Sequence, residues 1–479
     1  MKLPENNKEY VHLDFFNNIA SERNKWKKRN RYYWEDVEKL CLNLIPENTS
    51  VLEIGCGTGD LIGNIKADIR VGIDFSKNMI NIAKAKYPDV SFYVMKAECI
   101  TLNKTFDYII LSNTIGYLYD VQKVFTEIKK VCHPYTKIII TYYNFLWQPI
   151  LNLAEKFGLR MKQPPQNWLS KKDIENLLYI TGFEAFKFGD RMLFPIKIPV
   201  FSNFLNKYLA KLPLVRKLCI TNYIIARPIK NIIDNAWKNE YSVSVVIPAR
   251  NESGNIEPAI LRIPKMGKHT EIIFVEGNSI DGTWEMIQKM YKKYKNEYDI
   301  KITKQDGFGK GDAVRKGFDI ATGDILMILD ADLTVPPEEL TKFYDAIASG
   351  KGEFINGCRL VYNMDKEAMR FLNLLANKFF SLMFTWLLDQ RFKDTLCGTK
   401  VLFKKDYEKI KKNRSFFGDF DPFGDFDLIF GASKLNLKII EIPIRYKKRT
   451  YGKTNIRRFK HGILLFKMFL IASKKIKFF

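Results

Sequence analysis

The sequence predicts an α/β protein made of two domains in tandem. Three observations predict it. In two separate stretches, short continuous apolar runs of strand length alternate with helical patterns. Between them the alternation stops, from Arg191 to about Lys238, where prolines at 195, 199, 213 and 228 punctuate apolar pieces studded with Lys and Arg. The length, 479 residues, is too great for one ordinary core. The expected divisions are residues 1–190, a connecting segment over 191–238 and a second domain over 239–479.

The first domain opens with a basic, aromatic lead, Lys25-Trp26-Lys27-Lys28-Arg29 through Trp34. Val51 to Ile54 is a short buried strand that runs into Gly55-Cys56-Gly57-Thr58-Gly59-Asp60, a glycine turn that lets the backbone approach a ligand. Arg70 to Asp74 is a second strand ending in an acid, placed to accept hydrogen bonds from ribose hydroxyls. The dinucleotide fingerprint G-x-G-x-x-G fails at Asp60, which disfavours a dehydrogenase.

With VLEIGCGTGD in place, the domain resembles class I S-adenosylmethionine-dependent methyltransferases, with their Rossmann-like sheet. The resemblance implies S-adenosylmethionine as cofactor, held around Glu53, Gly55, Gly57 and Gly59, with Asp74 at the ribose and Ala97-Glu98 at the adenine. It also implies that the strand Phe106 to Leu111 meets the substrate. Ser112-Asn113-Thr114-Ile115 follows in place of the Asn/Asp-Pro-Pro-Tyr segment of enzymes that methylate base nitrogens, which disfavours DNA. No residue stands out as a general base, and His133 reads as a capping or surface residue.

The connecting segment fits short helices lying between domains or on a membrane surface. Beyond it, Val243 to Ile247 is a buried strand leading to Pro248-Ala249-Arg250-Asn251-Glu252. The strand Glu271 to Val275 leads to Glu276-Gly277 and the loop through Asp281. Gly307 to Ala313 sets a glycine loop and Lys310 at a helix start, an arrangement suited to phosphate. Ile325 to Leu329 is a strand buried on both faces that ends in Asp330-Ala331-Asp332. Residues two apart on a strand project to one side, so the two carboxylates can share a divalent ion or divide ion and sugar between them. An isolated Asp-x-Asp is more often a solvated turn or a helix cap. This one closes an ordered series.

That series, VSVVIPARNE, VEGNSIDGT, GKGDAVRKGF and ILDADL, resembles family 2 glycosyltransferases of the GT-A fold, in particular the dolichyl or polyprenyl phosphate sugar transferases. The resemblance implies that Pro248, Ala249, Asn251, Glu252 and Glu276 line the nucleotide sugar, with support from Asp281 and Lys310, and that Asp330 and Asp332 hold Mg²⁺ or Mn²⁺. At Glu276-Gly277 the family usually has two aspartates. Arg359 and Arg370 match arginines flanking an acceptor phosphate, Asp394 to Gly398 match an Asp-x-x-Cys/Ser-Gly turn, and Arg449 and Lys453 belong to a basic segment over the diphosphate. Were the acceptor a sugar hydroxyl, Asp425 would be the conditional base.

From Asn373 to Asp389 polar residues recur at every fourth position on an otherwise apolar helix, which reads as buried or interface-lying. The tail from Arg457 to Phe479 mixes basic residues with an apolar set, Ile463 to Ile471, and suits either an anionic bilayer or a helix folded back onto the domain. The net charge, +24, points to a polyanion: nucleic acid, phosphorylated substrate or anionic lipid. Seven cysteines without a Cys-x-x-Cys pair fit a reducing interior, and four histidines show no metal spacing. The start, MKLPENNKEY, lacks the apolar core of a signal peptide, and no long uncharged apolar run would span a bilayer. The expected location is cytoplasmic, peripheral to the inner face of the membrane.

Three readings follow. The first is a bifunctional enzyme that moves a sugar from a nucleotide-diphosphate donor to a polyprenyl phosphate and a methyl group to a small molecule or glycan. The second is a glycosyltransferase acting on a sugar hydroxyl or another lipid, with a regulatory methyltransferase-like domain. The third, a nucleic-acid-modifying protein, is the least supported, because charge alone carries it.

Overall fold

The computed structural model describes residues 6–229, 238–360, 371–414, 426–449, 451 and 458–478. The chain divides into two units, Met1–Ile229 and Lys230–Phe479.

The first unit is built on seven strands: β1 (Ser50–Ile54), β2 (Ile69–Asp74), β3 (Ser91–Val94), β4 (Phe106–Ser112), β5 (Cys132–Tyr143), β6 (Phe183–Arg191) and β7 (Thr221–Pro228). Their order is 3-2-1-4-5-7-6, parallel through β5, with β7 antiparallel to both neighbours. Successive crossovers run one way from β1 and the other way from β4, so a crevice opens beyond the carboxyl ends of these two strands. The glycine turn after β1 and Ser112 to Thr114 after β4 stand there. Helices Asn6–Asn18, Ala20–Arg29 and Arg31–Leu44 precede the sheet. Phe16 meets Phe75 and Tyr117 edge-on, and Leu40, Cys41 and Leu44 join the core that holds Val51.

This architecture revises the connecting segment. Residues 191–229 belong to the first unit, because β7 inserts between β5 and β6 with Ile224, Ile225 and Ala226 fully buried. The prolines at 195, 199 and 213 conceal that strand, and its partners are distant in sequence, so local periodicity does not announce it. Residues 230–237 lie outside those described.

The second unit has β8 (Ser242–Ala249), β9 (His269–Glu276), β10 (Asp299–Lys304), β11 (Ile325–Ile328), β12 (Phe354–Cys358), β13 (Lys400–Phe403) and β14 (Ile439–Pro443). The order is 10-9-8-11-13-12-14, with β8 to β11 parallel and β13 antiparallel to β11 and β12. Apolar clusters cover both faces of the sheet, which is why β11 reads as an unbroken apolar run.

The helix Phe371–Leu388 buries its polar stripe against the loop that follows it. Asn377 donates to Asp394 (3.1 Å), Ser381 to the Phe392 carbonyl (2.7 Å), and Thr385 bonds Phe392 through both backbone groups. The Asn373 side chain lies outside those described. The tail helix Arg458–Ile476 folds back onto its own unit: Leu465, Met468, Phe469 and Ala472 are buried in the core with Phe384, while Lys477 pairs with Asp389. Ile463, Phe466 and Leu470 remain exposed. Among the described residues no helix is long and apolar enough to cross a membrane.

Candidate functional site

In the first unit the glycine turn forms one wall of a cavity of about 1360 Å³. Gly55 and Gly57 line it with φ of 74° and 54°, conformations that favour glycine, and a Cβ on Gly57 would sit 3.1 Å from Arg23 Nε. Asp74 is nearly buried at 7% exposure. Its Oδ2 accepts the Gly57 N–H (2.8 Å) and its Oδ1 the Ser76 N–H (2.9 Å). Burial raises its pKa, which those two bonds partly counter. Each oxygen keeps a second lone pair that can face the cavity. Glu98 stands at the wall too, accepting the Tyr119 N–H at 3.1 Å.

The other two residues expected at the cofactor support the turn from behind. Glu53 lies under the loop, takes the Ile62 N–H at 3.1 Å, and is pushed up to about 8 by burial. Gly59 turns toward Phe92, where a Cβ would collide with the ring. His133 is at the far end of β4, its Nε2 3.2 Å from Asp107 Oδ1, and does not line the cavity.

The N-terminal helices, the turn after β4 and the segment after β5 complete the walls with Arg23 and Tyr33, Tyr117, and Arg160 respectively. Tyr33 donates to Asn113 (3.2 Å) and stacks on Tyr143, and Arg160 pairs with Glu155 while lying over the Tyr143 ring. Arg23 Nε is buried with no partner among the described residues. A glycine cradle, a buried carboxylate and an orphaned guanidinium nitrogen suit a cofactor bearing ribose hydroxyls and a carboxylate, as S-adenosylmethionine does. Sequence reasoning missed these wall residues; the basic, aromatic lead from Lys25 to Trp34 was a signal for Tyr33 alone.

In the second unit the expected residues converge at the carboxyl ends of β8, β9 and β11. Lys310 Nζ lies 2.7 Å from Asp330 Oδ1. Burial would raise the Asp330 pKa, but Lys310, then Lys400 and Arg359, outweigh it and hold the carboxyl below its ordinary value. Gly398 abuts this pair so closely that a Cβ would overlap the Asp330 carboxylate. Asp332 Oδ1 accepts the Thr334 N–H (3.1 Å) and hydroxyl (2.8 Å), while its Oδ2 takes Arg449 Nη2 at 2.6 Å. The other arm of Arg449 bonds Glu252, so one guanidinium bridges two of the acids. Burial raises the Glu252 pKa and Arg449 opposes it.

The surrounding loops lock together. Asn251 Oδ1 accepts the Ile280 N–H (2.9 Å), the Glu252 N–H goes to Thr283 (3.0 Å), and Asp281 accepts from Thr283 and Ser253. Tyr451 reaches Ser253 Oγ at 2.8 Å and fills the space over Gly254. Glu276 is buried and turned onto the Ser279 N–H, closing its own loop, while the next residue, Gly277, bonds the Ala249 carbonyl that follows Pro248.

Arg359, expected at the acceptor phosphate, is engaged within the fold. Its Nε and Nη2 make a bidentate pair with the fully buried Asp394 (2.8 and 2.7 Å), and its own N–H bonds the same carboxylate. Two of its donor positions are thus committed to the fold. Arg359→Ala is expected to destabilise the unit by about 3–5 kcal/mol, because it leaves a buried carboxylate uncompensated. A thermal melt tests this; a variant of unchanged stability with only a raised acceptor KM would return Arg359 to the acceptor phosphate alone. Arg370, Asp425 and Lys453 lie outside the described residues. Among the described residues no three His, Cys, Asp or Glu side chains gather as a metal cage. Two carboxylates are still an adequate protein share for Mg²⁺, which keeps waters and substrate phosphates among its ligands.

Comparison with known proteins finds a family match within each unit. Residues 45–182 match a methyltransferase domain model and residues 244–410 match the model of glycosyl transferase family 2. A dolichol-phosphate mannosyltransferase of Pyrococcus furiosus is 32% identical over 219 residues, 45% of this chain and 59% of the relative. One of Saccharomyces cerevisiae is 38% identical over 109 residues, 22% of this chain and 40% of the relative. Glycosyltransferase AglJ of Haloferax volcanii is 25% identical over 227 residues, 47% of this chain and 70% of the relative. The chain therefore spans less than two thirds of the first two relatives' own lengths.

Proposed function

From a chain that joins a methyltransferase domain to a family 2 glycosyltransferase domain, we propose a bifunctional enzyme. Its second unit transfers a sugar from a nucleotide-diphosphate donor to a polyprenyl phosphate, and its first transfers a methyl group from S-adenosylmethionine. The observation that carries the first activity is the meeting of Asp330, Asp332, Lys310 and Glu252 at the carboxyl ends of β8 and β11. The matched mannosyltransferases, named for a dolichol phosphate, support the acceptor class.

Asp332 and Asp330 would hold Mg²⁺ or Mn²⁺, whose charge would make the nucleoside diphosphate a better leaving group. Lys310 holds Asp330 ionised, and Arg449, already between Glu252 and Asp332, is a donor that can turn to the diphosphate. The bond from C1 to the diphosphate oxygen breaks while a phosphate oxygen of the acceptor bonds to C1. That oxygen is anionic at neutral pH, so positioning matters more than a base. The donor pocket takes Pro248, Ala249, Asn251, Glu252, Glu276 and Asp281. We place the work at the inner face of an anionic membrane, supported by the acceptor's lipid and by Ile463, Phe466 and Leu470, exposed on a helix rich in lysine. In the first unit Gly55, Gly57, Asp74 and Glu98 seat the cofactor, Arg23 takes its carboxylate, and Glu53 and Gly59 hold the turn.

Incubation with a panel of nucleotide sugars, polyprenyl phosphate and Mn²⁺ or Mg²⁺ tests the reading. A lipid-soluble sugar phosphodiester is the expected product. Salt-sensitive binding to nucleic acid with no sugar transfer would replace it with the third reading.

A further inference from the structure

One face of the first unit is apolar and basic over a long run of chain. It comprises Phe145 to Leu159 and residues 194–218. Asn144 donates to the Lys217 carbonyl (2.9 Å), Trp147 to the Leu218 carbonyl (2.8 Å), and Leu151 is clustered with Met192 and Ile220, so the two stretches make one surface. Its outer side chains stand in solvent: Phe157 is 72% exposed, Ile196 60%, Val200 81% and Leu214 79%. Val200 is held at φ 66°, rare for a β-branched residue, with its side chain outward. No Asp or Glu occurs from Arg191 to Ile229, while Lys197, Lys207 and Lys217 are exposed there. Glu155, on the other stretch, is engaged by Arg160.

Surfaces that face only water rarely expose so much contiguous apolar area. Apolar side chains ringed by exposed lysines complement an anionic bilayer, where burial and charge act together. Nucleic acid would use the lysines but leave the aliphatic side chains unused. The same face is also the rim of the cavity, since Ile150, Phe157, Leu159 and Ile196 line both. Arg23, Lys28 and Arg29 line the same cavity as Asp74 and Glu98, and the Arg23 charge acts on the Asp74 carboxyl. The volume of about 1360 Å³ exceeds the range of roughly 300–1,000 Å³ usual for one small ligand, which leaves room beside the cofactor.

We infer that this face rests on an anionic bilayer and that the methyl acceptor is an amphiphile with an anionic head, admitted to the cavity from that bilayer. An apolar chain can follow the rim without crossing water, and its head then meets the cations by the cofactor site. The inference rests on reading the first unit as a methyltransferase.

Two experiments on the full chain test it. Val200→Glu with Leu214→Glu changes two exposed positions. It is expected to lower co-sedimentation with phosphatidylglycerol–phosphatidylcholine vesicles by about tenfold or more, with the melting temperature and S-adenosylmethionine affinity unchanged. Vesicle binding equal to the parent, or a lowered melting temperature with binding unchanged, would overturn the inference and show that protein covers the face. RNA binding that the same variant abolishes would overturn it in favour of nucleic acid. In the second experiment, with S-adenosylhomocysteine present, geranylgeranyl phosphate should bind the parent about tenfold more tightly than it binds Phe157→Glu with Ile196→Glu, and about tenfold more tightly than geranylgeraniol binds the parent. Equal affinities in either comparison would remove the anionic amphiphile. Sugar transfer to a short, water-soluble polyprenyl phosphate should be unchanged in Val200→Glu with Leu214→Glu; if the parent itself shows none, the glycosyltransferase reading fails while the lipid face stands.

Discussion

Asparagine in place of Asp332 is expected to lower sugar transfer by a factor on the order of 10²–10³ while S-adenosylmethionine binding stays at the parental level. Asp332 is fixed by Thr334 through Oδ1 and by Arg449 through Oδ2, so its carboxylate is oriented before any substrate arrives. An asparagine keeps the volume and removes the charge. Whichever way its amide turns, an NH₂ group faces Thr334 or Arg449, both donors, so the side chain loses its orientation together with its grip on a divalent ion. The loss should resemble that of the parent treated with a chelator, and added Mn²⁺ should rescue the chelated parent only. Rates measured for parent and variant, with and without chelator, decide this. Parental transfer by the variant in chelator would remove Asp332 and the metal from the mechanism.

Asp74→Ala and Gly57→Val are each expected to weaken S-adenosylmethionine binding by about tenfold to a hundredfold. In Asp74→Ala the N–H groups of Gly57 and Ser76 lose their acceptor, at a cost of about 1–3 kcal/mol for each buried donor, and the ribose loses one as well. In Gly57→Val a β-branched side chain must take φ 54° within 3.1 Å of Arg23 Nε, on the surface the cofactor would approach. Titration calorimetry with S-adenosylmethionine and S-adenosylhomocysteine reads both variants. Parental affinity in the two together would remove the cofactor from this cavity.

The parts legible in the sequence are those where function sits at a strand end. A buried run that stops at Gly55 or at Asp330 gives the strand, the loop and the site in one reading, because the carboxyl ends of parallel strands face the crevice. What escaped depends on partners far apart in the chain. Arg449 lies 197 residues from Glu252 and 117 from Asp332, and only the fold brings the three together. Arg359 shows the limit of a motif: the residue is where the pattern puts it, yet Asp394 at 35 residues' distance engages its guanidinium. The tail carries apolar residues on two sides, and neither composition nor charge says that Leu465, Met468 and Phe469 point inward while Ile463 and Leu470 point out. The strand Thr221–Pro228 was hidden for a related reason, since it pairs antiparallel with β5 and β6 across prolines that suggest a linker.

The central claim is that the second unit joins C1 of a nucleotide-bound sugar to a phosphate oxygen rather than to a hydroxyl. Phosphorus NMR of the products, after incubation with the nucleotide sugar used in the panel assay, Mn²⁺ and either a short polyprenyl phosphate or the matching polyprenol, tests it most directly. The account predicts that the acceptor phosphorus moves from a monoester to a diester resonance as nucleoside diphosphate is released, and that the polyprenol stays unmodified. Release of nucleoside diphosphate with the monoester unchanged and the sugar found on a hydroxyl would contradict it.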